Sequence, residues 1–563
     1  MTEQVGWVHT RSGAVFSGLH LPDGSARDSA VLLVPPFGWE GVSAGRNLRA
    51  WARELAAAGY PTLRYQPPGA GDSTGAGVEQ DLTTWCAALA DLVGLLRAAS
   101  GCSTLTVVGL GMGGLVALQT AADGAEIDEL VLWASPGRGR LLLRELRAFA
   151  AMAAEPGETA TEAPQPLEAV TTDDGVLWVH GYPLSASAQE QLRTLDAAEL
   201  DLSRVRRALL LGRGTLPADR KLAEALTAAG AEVVTSPGPG YDELTVEPRL
   251  SRPVTDVSRT LLSWLRPDPG TSSPGPLTTV DIGEERVVLG DADAILTRAD
   301  DPVLTAVFVG AGAISRSGPN RLWTEAARRW ADWGVSSLRL DLFSIGEADG
   351  PDAYPHGPEG FYDEAYRPQL TDALDRISAL GLPDRFLLIG LCSGGFWSAQ
   401  LALEDRRVAG VVVLNAVSLV WPPPLLSSGS RQYLRSRATW SRFLRDPGLR
   451  REAVNRARRS AQLAVARVRR NGQVLASSHE VVEALHAAGT PVLLGASPGE
   501  AILEDLAQLS PETAGLVRRF DGPEGAHTLS TAGLRAQAEA LMDEAARAAL
   551  AAEQGSSPVA PTG

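Results

Sequence analysis

The sequence predicts an α/β protein built twice in tandem, each copy a mostly parallel sheet covered by helices. Three observations predict it. Short, unbroken apolar runs alternate with amphipathic stretches, as strands buried on both faces require. The same order of elements stands on both sides of a Pro/Gly/Ser-rich segment, residues 267–277, which reads as a linker. The spacing also repeats: positions 31 and 71 recur at 306 and 346, and position 109 recurs at 390.

Taken in order, each copy opens on an apolar strand and a turn: Val31 to Val34 before Pro35-Pro36-Phe37-Gly38, and Ala306 to Val309 before Gly310-Ala311-Gly312. An amphipathic helix follows, Leu48 to Ala58 and Leu322 to Trp333. A second strand ends in a Gly/Asp-rich loop, Gly71 to Gly75 and Gly346 to Gly350. A third strand then runs into a Gly-rich turn, at Gly109 to Gly114 and Gly390 to Gly395. The expected organisation is a first domain at 1–266, a second at 278–550, and a disordered tail at 551–563. An acidic Pro/Thr-rich excursion is expected from Glu155 to Pro166.

The chain has 563 residues, 44% hydrophobic and 21% charged, enough apolar side chain for sizeable cores. Its net charge of −16 disfavours non-specific adhesion to nucleic acid or an anionic membrane. No apolar run approaches the roughly 20 residues that span a bilayer, and the N-terminus lacks a signal pattern. Three cysteines (Cys86, Cys102, Cys392) give neither a disulfide framework nor paired metal-ligand spacing. The expected location is cytoplasmic, with no membrane or nucleic-acid partner, no cofactor and no metal.

Gly390-x-Cys392-x-Gly394, directly after a strand and before a helix from Phe396 to Leu403, has the pattern of a nucleophile elbow. Such a turn needs its glycines because flanking side chains would collide with strand and helix. It sets the sulfur at a helix N-terminus, where orphan N–H groups favour thiolate. Ser393 is out of register for the nucleophile, since Leu391 stands where the preceding glycine is needed. Its main-chain N–H is instead a candidate oxyanion donor, with the second donor from Ala311 or Gly312. The partners must follow in the order nucleophile, acid, base. Glu500 lies in the loop after the Pro491–Leu494 strand, with Glu504 and Asp505 close behind as alternatives that cap or solvate the next helix. His527 closes a Gly-rich loop after the strand-like stretch Leu516 to Phe520.

These residues carry a resemblance. Both halves resemble the α/β-hydrolase superfamily, and the cysteine elbow is similar to those of dienelactone hydrolases and cysteine-type acyl-transferring synthases. Arg316-Ser317-Gly318-Pro319-Asn320-Arg321-Leu322, with Leu338 to Asp341, is similar to hydrolases encoded beside bacterial exosortase systems. Pro35 to Glu40 resembles their companion family. By position, the resemblance implies nucleophile Cys392, acid Glu500 and base His527.

The first copy lacks these groups. Its nucleophile slot is Gly111, Leu216 aligns with Glu500, and Asp242 aligns with His527. It reads as a catalytically dead copy, kept for docking, for covering the second site, for dimerisation, or for stability alone. Cys86 and Cys102 are expected to pack in its core. In the second copy, residues 417–489 stand where this superfamily places a cap. Thirteen arginines fall between Arg431 and Arg470, opposed only by Asp446 and Glu452. That positive segment suits an acyl carrier protein or coenzyme A, because guanidinium forks match phosphate and carboxylate; the alternative is a solvated helix face. His356 is a candidate for the pocket edge.

The chemistry expected is acyl transfer through a thioester on Cys392, from an acyl thioester or ester small molecule to an acceptor. Two alternatives stand beside it: hydrolysis of an ester, lactone or thioester by the same residues, and a binding scaffold without catalysis.

Overall fold

The computed structural model describes residues 2–151, 170–270, 274–310, 312–350, 358–421, 475–524 and 526–554. Two eight-stranded sheets are present, with the same topology. The first contains β1 (Thr2–Thr10), β2 (Gly13–Leu21), β3 (Ser29–Val34), β4 (Thr62–Tyr65), β5 (Thr104–Leu110) and β6 (Glu129–Trp133). After a separate hairpin, β7 (Leu177–Val179) and β8 (Tyr182–Leu184), it is completed by β9 (Arg207–Leu211) and β10 (Glu232–Ser236). The second contains β11 (Glu284–Leu289), β12 (Ala292–Thr297), β13 (Leu304–Val309), β14 (Val335–Asp341), β15 (Phe386–Leu391), β16 (Val408–Leu414), β17 (Val492–Ala496) and β18 (Val517–Arg519).

The strand orders are β1-β2-β4-β3-β5-β6-β9-β10 and β11-β12-β14-β13-β15-β16-β17-β18. Each sheet begins with an antiparallel pair and continues parallel from β4 and β14 onward. This is the α/β-hydrolase fold, twice. Its central strands are buried along their whole length, for instance β3, β13 and β15. That double burial explains why they read as unbroken apolar runs rather than alternating ones.

Several expectations need correction. Helices begin earlier than periodicity suggested: Gly38–Ala57 instead of Leu48 onward, and Ser393–Glu404 instead of Phe396 onward. The last helix, Ala532–Gln554, runs four residues into the segment expected to be a disordered tail. The helix Leu82–Ser100 is long and apolar enough to cross a bilayer by length and composition, contrary to the reading of the sequence. Here its Trp85, Leu89, Leu92 and Leu96 are buried in the core of the first sheet with Cys86. The described linker residues lie against the first half: Asp28 N–H donates to Asp268 O, and Leu277 N–H to Gln4 Oε1. Glu155 to Pro166, His356 and the arginine-rich stretch Arg431 to Arg470 lie outside the described residues.

The halves meet through buried ion pairs. Asp72, from the loop after β4, is 1% exposed and accepts from Arg316 Nε (3.0 Å) and Arg339 Nη1 (2.7 Å) of the second half. In return Glu347 receives both terminal nitrogens of Arg64, at 2.7 and 2.6 Å. Arg316 also pairs with Asp293 and Arg339 with Glu284, so the charges form a shared network rather than isolated pairs. Apolar packing crosses as well: Trp39 of the first half belongs to the core cluster built on Phe308, Trp323 and Trp330.

Candidate functional site

The elbow is where strand, turn and helix crowd most. A Cβ on Gly390 would lie 2.1 Å from the Gly394 carbonyl carbon, and one on Gly394 would lie 2.2 Å from Gly310 O. The glycine spacing read in the sequence is thus set by contact with main chain, which cannot yield. Cys392 caps the helix Ser393–Glu404 with φ 56° and ψ −120°, a strained turn for a residue with a side chain. It is partly exposed.

His527 arrives from the loop after β18. Its Nδ1 lies 2.9 Å from Glu500 Oε1, in the loop after β17, so that Nδ1–H donates to the carboxylate and Nε2 is left for the sulfur. Glu500 and His527 are thus in direct contact, and His527 lies close enough to Cys392 for their charges to interact. Asp505, the competing acid, instead pairs with His479 at 2.8 Å and accepts from the Ser478 main chain.

Charges at the site reinforce one another. Burial by itself pushes the Cys392 thiol up, but the imidazolium of His527 outweighs it. Hydrogen bonds from His527, the Tyr362 hydroxyl and the Ser393 amide add to that effect and hold the thiol below its ordinary value. Burial likewise pushes His527 down, and the negative charges of Cys392 and Glu500 overcome it, placing the imidazole well above its ordinary value. Each group thus favours the charged form of the other. Cys86 shows the contrast: burial without a cation pushes its thiol up to about 12.

Of the oxyanion candidates, the Ser393 amide faces the sulfur. The Gly312 amide does not present an open donor, because it donates to Ser393 Oγ at 3.2 Å. Ala311 lies outside the described residues.

Three further residues brace the site, and of these only Asn320 stands in a stretch singled out in the sequence, Arg316 to Leu322. Tyr362 places its hydroxyl 3.7 Å from Cys392 Sγ and stacks flat on Trp421, with ring centroids 3.9 Å apart. Asn415, fully buried after β16, donates to His527 O (2.7 Å) and Ser497 Oγ (2.9 Å), pinning the base loop to the end of β17. Asn320 donates to the carbonyls of Thr528 and Leu529, at 3.0 and 2.7 Å.

The first half keeps the elbow and fills it differently. Gly111 has φ 52° and ψ −115°, nearly the angles of Cys392. Asp242, expected in the histidine slot, is exposed and paired with Arg213. The residue that reaches the elbow is its neighbour Tyr241. A Cβ on Gly111 would lie 2.5 Å from Tyr241 Oη, which donates to Glu40 Oε2 at 2.9 Å. Leu216, expected in the acid slot, is 64% exposed. A cavity of about 170 Å³ lies beside this elbow, between Phe37, Tyr65, Met112 and Tyr182 and the second half's Arg316 and Ser317. Among the described residues no group of three or more His, Cys, Asp or Glu could hold a metal ion.

The model of the family described as serine aminopeptidase, S33 matches residues 40–193, under half of the chain and within the first half. A search of curated protein sequences returns no match. Among solved structures the chain is similar to XC6422 from Xanthomonas campestris, described as an α/β serine hydrolase without a lid. The identity is 15% and the TM-score 0.29, over 49% of this chain and 98% of that one. It is also similar to a thermostable carboxyl esterase from Bacillus coagulans, with 14% identity and TM-score 0.33, over 47% and 98% of the two chains. Est1E from Butyrivibrio proteoclasticus gives 16% identity and TM-score 0.32, over 46% and 96%.

Proposed function

We propose that the second half is a cysteine-dependent acyltransferase, and the observation that carries this is the Cys392–His527–Glu500 constellation on an elbow. The thiolate attacks the carbonyl carbon of an acyl thioester or ester, forming an S–C bond, while the Ser393 amide donates to the developing oxyanion. As the tetrahedral species collapses, the leaving group takes the proton of the His527 imidazolium, and Glu500 holds the ring in the tautomer that does this. The acceptor then gives its proton to His527 as it attacks the thioester. The S–C bond breaks, and thiolate and imidazolium are restored. Thioesters are less resonance-stabilised than esters and yield to amines and thiols more readily relative to water, so sulfur tilts the outcome toward transfer. A free thiol of this kind suits a reducing, cytoplasmic setting. The arginine-rich segment 431–470 suits a donor carried on coenzyme A or an acyl carrier protein.

Hydrolysis is the second reading, favoured by the hydrolase description of the family model on residues 40–193. It predicts full turnover with water alone and no gain from added amines or thiols.

Intact-mass measurement after incubation with short-chain acyl-coenzyme A thioesters tests the shared first step. The expected result is one acyl adduct, mapped to Cys392 and missing from Cys392→Ala. No adduct with any donor, together with full activity in Cys392→Ser, would remove the proposal and leave a binding scaffold.

A further inference from the structure

The loop that carries His527 is held from two directions. Asn415 holds it from within the second sheet, through the carbonyl of His527 itself. Asn320, 3% exposed, holds the next two residues, donating through Nδ2 to Thr528 O and Leu529 O. Asn320 is in turn fixed by the first half. Gly181, in the turn between β7 and β8, lies so close that a Cβ there would sit 2.3 Å from the Asn320 amide atoms. Its neighbour Tyr182 carries a buried phenol whose oxygen lies near enough to the Asn320 main-chain N–H to feel it. The next residue on the other side, Arg321, donates to the first-half carbonyls of Gly71 (3.0 Å), Gly75 (2.7 Å) and Ser73. The hairpin is itself braced: His180 lies between Trp39 (4.5 Å) and Phe149 (5.3 Å).

Asn320 adopts φ 52° and Arg321 φ 67°. Two successive left-handed residues with side chains are costly, and such backbone persists only where its surroundings dictate it. The surroundings here are the first half on one side and the His527 loop on the other. We infer that the first half, which lacks a nucleophile, positions the base of the second half through Gly181, Tyr182 and Asn320. Asn320 is thus a positioning residue that acts through the His527 loop without touching the reacting atoms. This rests on the reading of Cys392 and His527 as a working pair.

The test uses the full chain and the pH dependence of Cys392 alkylation by iodoacetamide, followed by peptide mass, in wild type, Asn320→Ala and Tyr182→Phe. Thiolate fraction sets the rate, so a base loop that shifts should raise the midpoint by about one pH unit in Asn320→Ala and slow alkylation at pH 6 about tenfold. Tyr182→Phe removes only the hydroxyl, from a residue in the first half that does not touch Cys392, and should slow the reaction about two- to threefold in the same direction. Folded variants with the wild-type profile overturn the inference. If Asn320→Ala does not fold, the Tyr182→Phe profile decides alone. A wild-type thiol with an ordinary midpoint would instead sink the Cys392–His527 reading, and this inference with it, so the two failures are told apart.

Discussion

The two elbows share a backbone and differ in everything that touches it. Gly111 and Cys392 have almost the same φ and ψ, follow equivalent strands and open equivalent helices. Around Cys392 stand an imidazole, a carboxylate and a phenol; around Gly111 stand Tyr241 and Glu40. The turn is therefore a product of packing, enforced by Gly109 and Gly113 in one half and by Gly390 and Gly394 in the other. Chemistry is added to it by side chains from distant loops. A half that loses those side chains keeps the turn, because the glycines that shape it are held by main chain.

The largest expected effect breaks the comparison at the sulfur. Cys392→Ala makes the second elbow resemble the first and should abolish acyl-adduct formation and turnover without moving the melting temperature by more than a few degrees. Chemistry and mass together check this.

Next in size is the contact that joins the halves. Asp72→Asn takes from Arg316 and Arg339 their shared carboxylate but leaves them Asp293 and Glu284, and should cost about 1.5–3 kcal/mol, read by denaturant titration. Third, Gly111→Cys puts a side chain where Tyr241 Oη now sits. It should cost about 1–3 kcal/mol through overpacking and a left-handed residue, and the new thiol should gain no reactivity, since no imidazole adjoins it.

The smallest expected effect concerns His20, buried beside Arg64 at the joint. Burial, and then the charge of Arg64, lowers its pKa to about 3. The unfolded chain takes up a proton near 6.5 while the folded chain does not, so this group removes stability as pH falls from 6.5 toward 3. Between pH 6.5 and 5.5 the loss is about 1 kcal/mol. In His20→Gln that portion of the acid dependence should be missing, as a comparison of the two stability–pH curves will show.

Much of this architecture was legible in the chain. Double burial writes strands such as Val31 to Val34 as unbroken apolar runs, and steric crowding writes the elbow as spaced glycines. The placement of Glu500 and His527 in loops directly after β17 and β18 was legible because each follows an apolar or strand-like run. Other features left no local mark. Tyr241 rather than Asp242 reaches the first elbow, a one-residue difference decided by how the helix Tyr241–Thr245 is set down. Asn415 and Tyr362 act through partners 112 and 30 residues away, and Asn320, though inside the quoted stretch Arg316 to Leu322, acts through a partner 209 residues away that the stretch does not reveal. The early start of the helix Gly38–Ala57 was hidden because Trp39, Ser43 and Ala44 pack against neighbours that no periodicity in the segment itself records.

Acyl transfer at Cys392 requires a sulfur held as thiolate by an imidazole. The most direct measurement of this is the pH–rate profile of Cys392 alkylation in wild type and His527→Ala, with the modified peptide identified by mass. The expected result is a wild-type midpoint below the ordinary thiol value, and an upward shift with a reaction roughly tenfold slower at pH 6 when the imidazole is removed. Superimposable profiles at the ordinary midpoint would contradict it.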